Sequence, residues 1–243
     1  MGVEVIDDVV DEAIGRRHRS DPVTGRTSGP AGNAQLTAWT GLLLLALIAV
    51  ELVTLIDVRG MLSWHVVVGV LLVAVAVLKI ASTGWRFLRY YSGHRPYQQA
   101  GPPPTLLRIL GPLVIVATVG VLGSGLWLIA VGADSGRNAL FTVLGQRIDL
   151  LTIHQGMFLV FAVVAGLHVL ARLVPAVAVT TGRIQREGSA GPLRGWAPRL
   201  AILTATLVAG ALAAALILPA ASSWQNERRD FRDFPAGSAP FHP

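Results

Sequence analysis

The 243-residue chain contains no cysteine. It therefore has no disulfide, no thiolate metal site, no covalently attached c-type haem and no iron–sulfur cluster of its own. Charge is scarce too: 14% of residues are Asp, Glu, Lys or Arg, against roughly a quarter in ordinary soluble domains. With 53% apolar side chains, this balance argues against a water-soluble enzyme. Lysine is almost missing: of 20 cations, 19 are arginine and one, Lys79, lies inside an apolar run. Ligands for a metal or cofactor must come mainly from the six histidines.

What the chain has in abundance is apolar sequence. Five stretches, about 36–56, 64–82, 106–131, 150–172 and 199–220, approach the roughly 20 residues that cross a bilayer's hydrocarbon core. Because lipid offers the backbone no hydrogen-bond partner, each is expected to be a helix. The expected fold is an all-α integral membrane protein of five transmembrane helices. It divides into a cytoplasmic tail (1–35), a transmembrane helical domain (36–220) and an extracytoplasmic tail (221–243).

Orientation follows from the cations, since short cytoplasmic loops are enriched in Lys and Arg. The amino tail, the segment from Lys79 to Arg108 and the segment from Arg172 to Arg199 hold fourteen of them, and the opposite side holds six. That distribution places the amino terminus inside, the carboxyl terminus outside, and the protein in the cytoplasmic (inner) membrane as a multi-pass protein. Trp39, Trp64, Trp85, Trp127, Trp196 and Trp224 lie near span ends, as an interfacial belt requires. The net charge of +6 is thus mostly a topology signal, with no nucleic-acid fold beside it.

The amino tail has no apolar core of a secretory signal, and Ile6 stands where myristoylation favours Ser or Thr. Val3, Ile6, Val10 and Ile14 fall at helical spacing there, so a short amphipathic helix competes with a solvated, unstructured tail. The loop expected at 83–105 concentrates Arg86, Arg89 and Arg95 with all three tyrosines, and ends in Gly101-Pro102-Pro103-Pro104. An interfacial anchor is the simpler reading, a docking surface or a set of cofactor-carboxylate partners the sharper one. The segments 132–149 and 221–243 carry no recognisable motif.

Three histidines lie in or at the edge of spans: His65 in the second, His154 and His168 in the fourth. Ionisable groups within spans are costly and are functional candidates by default. His154 and His168 are fourteen residues apart, close to four helical turns, so they share a face about 21 Å apart along the axis. Fourteen residues beyond His65 stands Lys79. As the second and fourth spans run parallel in the expected topology, His65 can lie opposite His154, and Lys79 opposite His168. Two such levels suit a pair of b-type haems, each taking two axial ligands from facing helices. Gly69, Gly166, Gly120, Gly123 and Gly125 leave room nearby for a flat macrocycle.

Each candidate has a plainer alternative. His65 and His154 could be interfacial histidines bonded to loops, and His168 a boundary residue beside Arg172. Lys79 has three options: an axial ligand, which requires loss of its proton, an ion-pair partner such as a haem propionate, or an ammonium snorkelling to the headgroups. Glu51 and Asp57, at the end of the first span, read as boundary residues in preference to a proton path. His18, His94 and His242 lie in polar segments and are expected to be solvated.

The pattern of His154 and His168 on a late helix, with His65 on an earlier parallel one, resembles the cytochrome b subunits of formate dehydrogenases and nickel–iron hydrogenases and their cytochrome b561 relatives. The resemblance covers roughly residues 60–175. It implies a four-helix core holding two haems b, with electrons passing between a quinone and a partner redox subunit. The chain departs from that pattern in having no histidine in its first span and in carrying Lys79 where a second imidazole would stand. The segment from Lys79 through Gly101-Pro102-Pro103-Pro104 also resembles uncharacterised actinobacterial membrane proteins. The expected function is transmembrane electron transport through one or two haems b, as a subunit of an oxidoreductase complex. His65, His154 and His168, with Lys79 provisionally, would be its iron ligands. A haem-free anchor, assembly subunit or small transporter is the competing class.

Overall fold

The computed structural model describes residues 29–99, 105–180 and 196–224. The expectations for residues 1–28 of the amino tail, the Gly-Pro-Pro-Pro run, His18, His242 and most of the extracytoplasmic tail lie outside the described residues.

Helix α1 spans Pro30–Thr54 and starts with proline in its first turn, where the missing N–H costs nothing. It ends in a 3-10 turn, Leu55–Asp57, and the Asp57 carboxylate accepts the Gly60 N–H at 2.8 Å to close the connection. Helix α2 spans Leu62–Tyr91, and a short α3, Arg95–Gln99, follows it. Helix α4 spans Thr105–Gly136 and is kinked at Gly132, whose φ of 77° is open to glycine. Strands β1, Phe141–Val143, and β2, Gln146–Ile148, form an antiparallel hairpin. Helix α5 spans Leu150–Thr180, and α6 spans Trp196–Ile217 before a 3-10 turn at Leu218–Ala221.

Five helices are long and apolar enough to cross a membrane: Gly32–Asp57, Leu62–Tyr91, Ile109–Gly136, Leu150–Leu170 and Trp196–Trp224. The chain is on this basis a multi-pass membrane protein. Helix α1 packs along α2 and against α5; α4 packs along α5 and against α2; α6 lies on α2. Helices α1, α2, α4 and α5 thus neighbour one another in a ring, with α2 and α5 across it. Having three neighbours, α2 contributes the most core: Val66, Val68, Val70, Leu72, Val75 and Ala76 are all buried. Outward side chains such as Val116 on α4, Leu159 on α5 and Leu216 on α6 are exposed, as a lipid-facing surface requires.

Several boundaries differ from those expected: α1 begins at Pro30, inside the expected tail, and α5 runs on to Thr180, beyond 172. The second span, expected to end at 82, continues as helix to Tyr91, so much of the expected loop 83–105 is helical. Thirty residues at 1.5 Å each give about 45 Å, well beyond a hydrocarbon core of about 30 Å. Thr83–Tyr91 contains no proline, its one weak helix former is Gly84, and Arg89 stacks on Trp85 one turn back at 4.4 Å. The Phe87 and Tyr91 rings meet likewise at 4.4 Å. The chain then turns at Gly93, with φ of 82°. In the segment 132–149, α4 extends to Gly136 and the hairpin follows; three-residue strands are too short to read from alternation.

Candidate functional site

Helix α2 begins one turn before His65, and α5 begins one turn before His154. Both imidazoles therefore stand at the same end of the ring of helices. Their ring centroids are 6.4 Å apart and their planes are 85° to one another.

The hydrogen bonds around each ring fix its tautomer. The Thr54 hydroxyl gives its proton to the Glu51 carbonyl oxygen at 2.6 Å, so its oxygen is an acceptor toward His65 Nδ1 at 3.1 Å. A Glu51 carboxylate oxygen lies 2.9 Å from the same nitrogen. His65 thus carries its proton on Nδ1 and shares it between a carboxylate and a hydroxyl. On the other ring, the Ser124 hydroxyl donates back to the carbonyls of Gly120 and Val121 at 2.7 and 3.0 Å, leaving its oxygen to accept from His154 Nδ1 at 3.0 Å. Among the described residues no hydrogen bond engages either Nε2. Each imidazole is thus held through Nδ1. That is how a metal-ligating histidine is oriented: the far N–H goes to a carboxylate or hydroxyl, which sets the tautomer and raises ligand basicity.

The spacing is informative as well. Two imidazoles on opposite sides of one metal, with metal–nitrogen bonds of about 2.0–2.1 Å and ring centres roughly 1.1 Å further on, have centroids about 6.3 Å apart. The 6.4 Å between His65 and His154, at 85°, is an edge-to-face ring contact whose separation would also accommodate an atom held between the two rings. It is too long for two rings in direct hydrogen contact through nitrogen. Among the described residues no group of three or more His, Asp or Glu converges.

Glycine keeps the site open. A Cβ on Gly125 would stand 3.1 Å from His154 Cε1, and one on Gly69 would approach the Glu51 carboxylate at 3.8 Å. The second Glu51 carboxylate oxygen is buried without a hydrogen-bond partner, which places real polarity beside the rings.

At the other end, Lys79 turns toward α1, where its ammonium donates to the Thr37 carbonyl. Gly41 leaves the space: a Cβ there would lie 2.9 Å from Lys79 Nζ. Around it, Asn33 donates to the Ser82 carbonyl at 3.0 Å and Thr37 to the Ser82 hydroxyl at 3.1 Å. Nearby, Arg199 is buried against Gly32 and donates to the Gln35 side chain at 3.1 Å. His168 is half-buried on α5, with its Nδ1 shielded from solvent. His94 is exposed, its ring edge-on to Tyr97 at 5.6 Å.

The residues that sequence reasoning passed over are those that orient the rings. Glu51, read as a boundary residue, reaches His65; Asp57, read the same way, only closes a turn. Thr54 and Ser124 gave no signal in isolation. Their one cue is that a hydroxyl among apolar residues, one helical turn after Glu51 or between two glycines, needs a polar neighbour. No protein-family model, curated protein or solved structure matches the chain.

Proposed function

We propose that the protein is an integral membrane b-type cytochrome that carries electrons across its membrane. The observation that carries this reading is the His65–His154 pair, 6.4 Å apart, each ring anchored through Nδ1. In this reading α1, α2, α4 and α5 form a four-helix haem-binding bundle, with the amino terminus inside and α6 alongside. His65 and His154 would hold the haem iron at the extracytoplasmic end, and Glu51, Thr54 and Ser124 would keep the two rings in orientation. A bound haem supplies one-electron chemistry at an iron with both axial positions filled. The chain's own part is to fix the ligands, shield the site from water and set the reduction potential by ligand basicity and burial.

A second haem would take His168, with Lys79 as ligand or propionate partner. The Thr37 carbonyl engages the lysine through an N–H bond, which either role permits. A quinone as substrate and a redox subunit as partner belong to this reading, because the chain has no flavin or dinucleotide motif to serve as its own terminal donor or acceptor.

The test is spectroscopic. Expressed with haem supplied and purified in detergent, the reduced protein is expected to show the sharp α-band of a low-spin b haem. In the ferric state, ligand planes close to perpendicular predict a strongly anisotropic low-spin EPR signal. His65→Ala and His154→Ala should each abolish that signal, and Lys79→Ala should alter only a second haem. Absence of any haem band would sink the reading and leave a haem-free membrane protein with an intramembrane His65–Glu51 pair.

A further inference from the structure

The connection between α4 and α5 folds as a two-sided ribbon. Cross-strand pairing sets Phe141 against Ile148, Thr142 against Arg147 and Val143 against Gln146. Side chains alternate faces along a strand and opposed residues share a face, so Phe141, Val143 and Ile148 lie on one face with Gln146 near the turn, while Thr142 and Arg147 share the other. The apolar face is bare: Phe141 is 52% exposed and Val143 49%.

The tip is odder. Leu144 and Gly145 have φ of 50° and 79°, the backbone of a tight primed hairpin turn. Such a turn favours Asn, Asp or Gly at its first central position, because a side chain there is strained when φ is positive. A leucine holds the position, and it is 98% exposed. A strained backbone that displays an apolar side chain points to something that receives the side chain.

The receiving medium is already adjacent. The ribbon springs from Gly136, the last residue of one membrane-spanning helix, and leads within two residues to Leu150, the first of another. Strands of three residues reach only about 10 Å, so the ribbon remains close to the span ends from which it springs. Arg147 on its polar face suits phosphates, which guanidinium binds in a fork.

We propose that the Phe141–Ile148 hairpin is an interfacial membrane anchor: its apolar face and the Leu144 tip dip into the lipid headgroup–acyl boundary. It steadies the start of α5, and with it His154, against the bilayer. The inference is independent of haem.

Because the natural chain has no cysteine, single-cysteine variants need no background removal. Leu144→Cys, Phe141→Cys and Thr142→Cys, with Val160→Cys as a lipid-facing reference, would be spin-labelled in the full-length protein. Proteoliposomes of neutral and anionic phospholipid would then be tested for collision with oxygen and with a water-soluble nickel chelate. Labels at 144 and 141 should favour oxygen over nickel several-fold more than the label at 142, and resemble the label at 160. Equal, water-like accessibility at 141, 142 and 144 would overturn the proposal. So would labels that are water-like in liposomes and immobilised only in native membranes, an outcome that assigns the ribbon to a protein partner. Leu144→Gly, which relieves the strained φ while removing the tip, guards against a distorted turn. In that background the label at 141 should shift toward nickel if the tip is the anchor, and an unchanged ratio counts against it.

Discussion

Gly125 sets the tolerance of the imidazole pair. A methyl group there would stand 3.1 Å from His154 Cε1, closer than packed atoms ordinarily lie, and the ring cannot withdraw without losing Ser124. Its neighbour Gly123 meets nothing within 4 Å of an added Cβ. The same substitution at the two positions therefore separates packing from helix propensity. Alanine is favoured over glycine in a helix by about 0.8–1.0 kcal/mol, so Gly123→Ala should leave the melting temperature unchanged or raise it. Gly125→Ala should lower it, since overpacking costs about 1–3 kcal/mol, and should weaken whatever His154 binds. Thermal unfolding in detergent, followed by circular dichroism, checks both. Equal responses would mean that His154 is not confined by α4. Glu51 shows why such detail escapes a one-dimensional reading. A single acid near a span end is ordinarily a boundary residue, and only the turn through Asp57 and Gly60 carries α2 back so that His65 meets it.

At the scale of elements, α5 carries His154 in its first two turns, where helices fray, and so depends on its start. Asp149 provides it: one carboxylate oxygen accepts both the N–H and the hydroxyl of Thr152 at 2.7 Å. These hydrogen bonds, the hydroxyl's foremost, hold the Asp149 carboxyl below its ordinary pKa. A carboxyl depressed in the folded state stabilises it fully above the unfolded value of about 3.9. That contribution fades as pH falls through the lower, folded value. Asp149→Ala should cost about 0.5–2 kcal/mol at neutral pH, and the difference from the natural protein should shrink below pH of about 4. Unfolding measured across that range decides it; a pH-independent gap would show that the charge does not matter. The Asp-Leu-Leu-Thr sequence made this cap readable in principle. The length of α2 was less so, because hydropathy reports where lipid ends and not where a helix does, and Thr83–Tyr91, with Gly84 and polar side chains but no proline, reads as loop.

Across the whole molecule, hydrogen bonds between distant segments sort the helix ends into two groups. Asn33 and Thr37 near the start of α1 bond Ser82 late in α2, and Gln35 bonds Arg199 at the start of α6. At the opposite end, the Trp224 indole donates to the Leu128 carbonyl at 3.1 Å, the Arg137 guanidinium lies 5.6 Å from the Trp224 ring centre, and His65 faces His154. The count of cations had made the same division from loop composition alone: Lys79, Arg86, Arg89, Arg95 and Arg199 fall in the first group, Arg59, Arg137 and Arg147 in the second. Number of spans and sorting of their ends were thus legible, because both are imposed by lipid on composition. Which side chains meet across the ring was not, because packing between membrane helices is set by small residues and shape, with no hydrophobic contrast to announce it. The positive-inside rule then assigns the cation-rich group to the cytoplasm. With cysteine absent from the natural chain, this assignment can be checked one position at a time. In intact cells a membrane-impermeant maleimide should label Thr142→Cys and Ser238→Cys, whereas Ser20→Cys should react only after permeabilisation. The reverse pattern would turn the molecule over and put the His65–His154 pair on the cytoplasmic side.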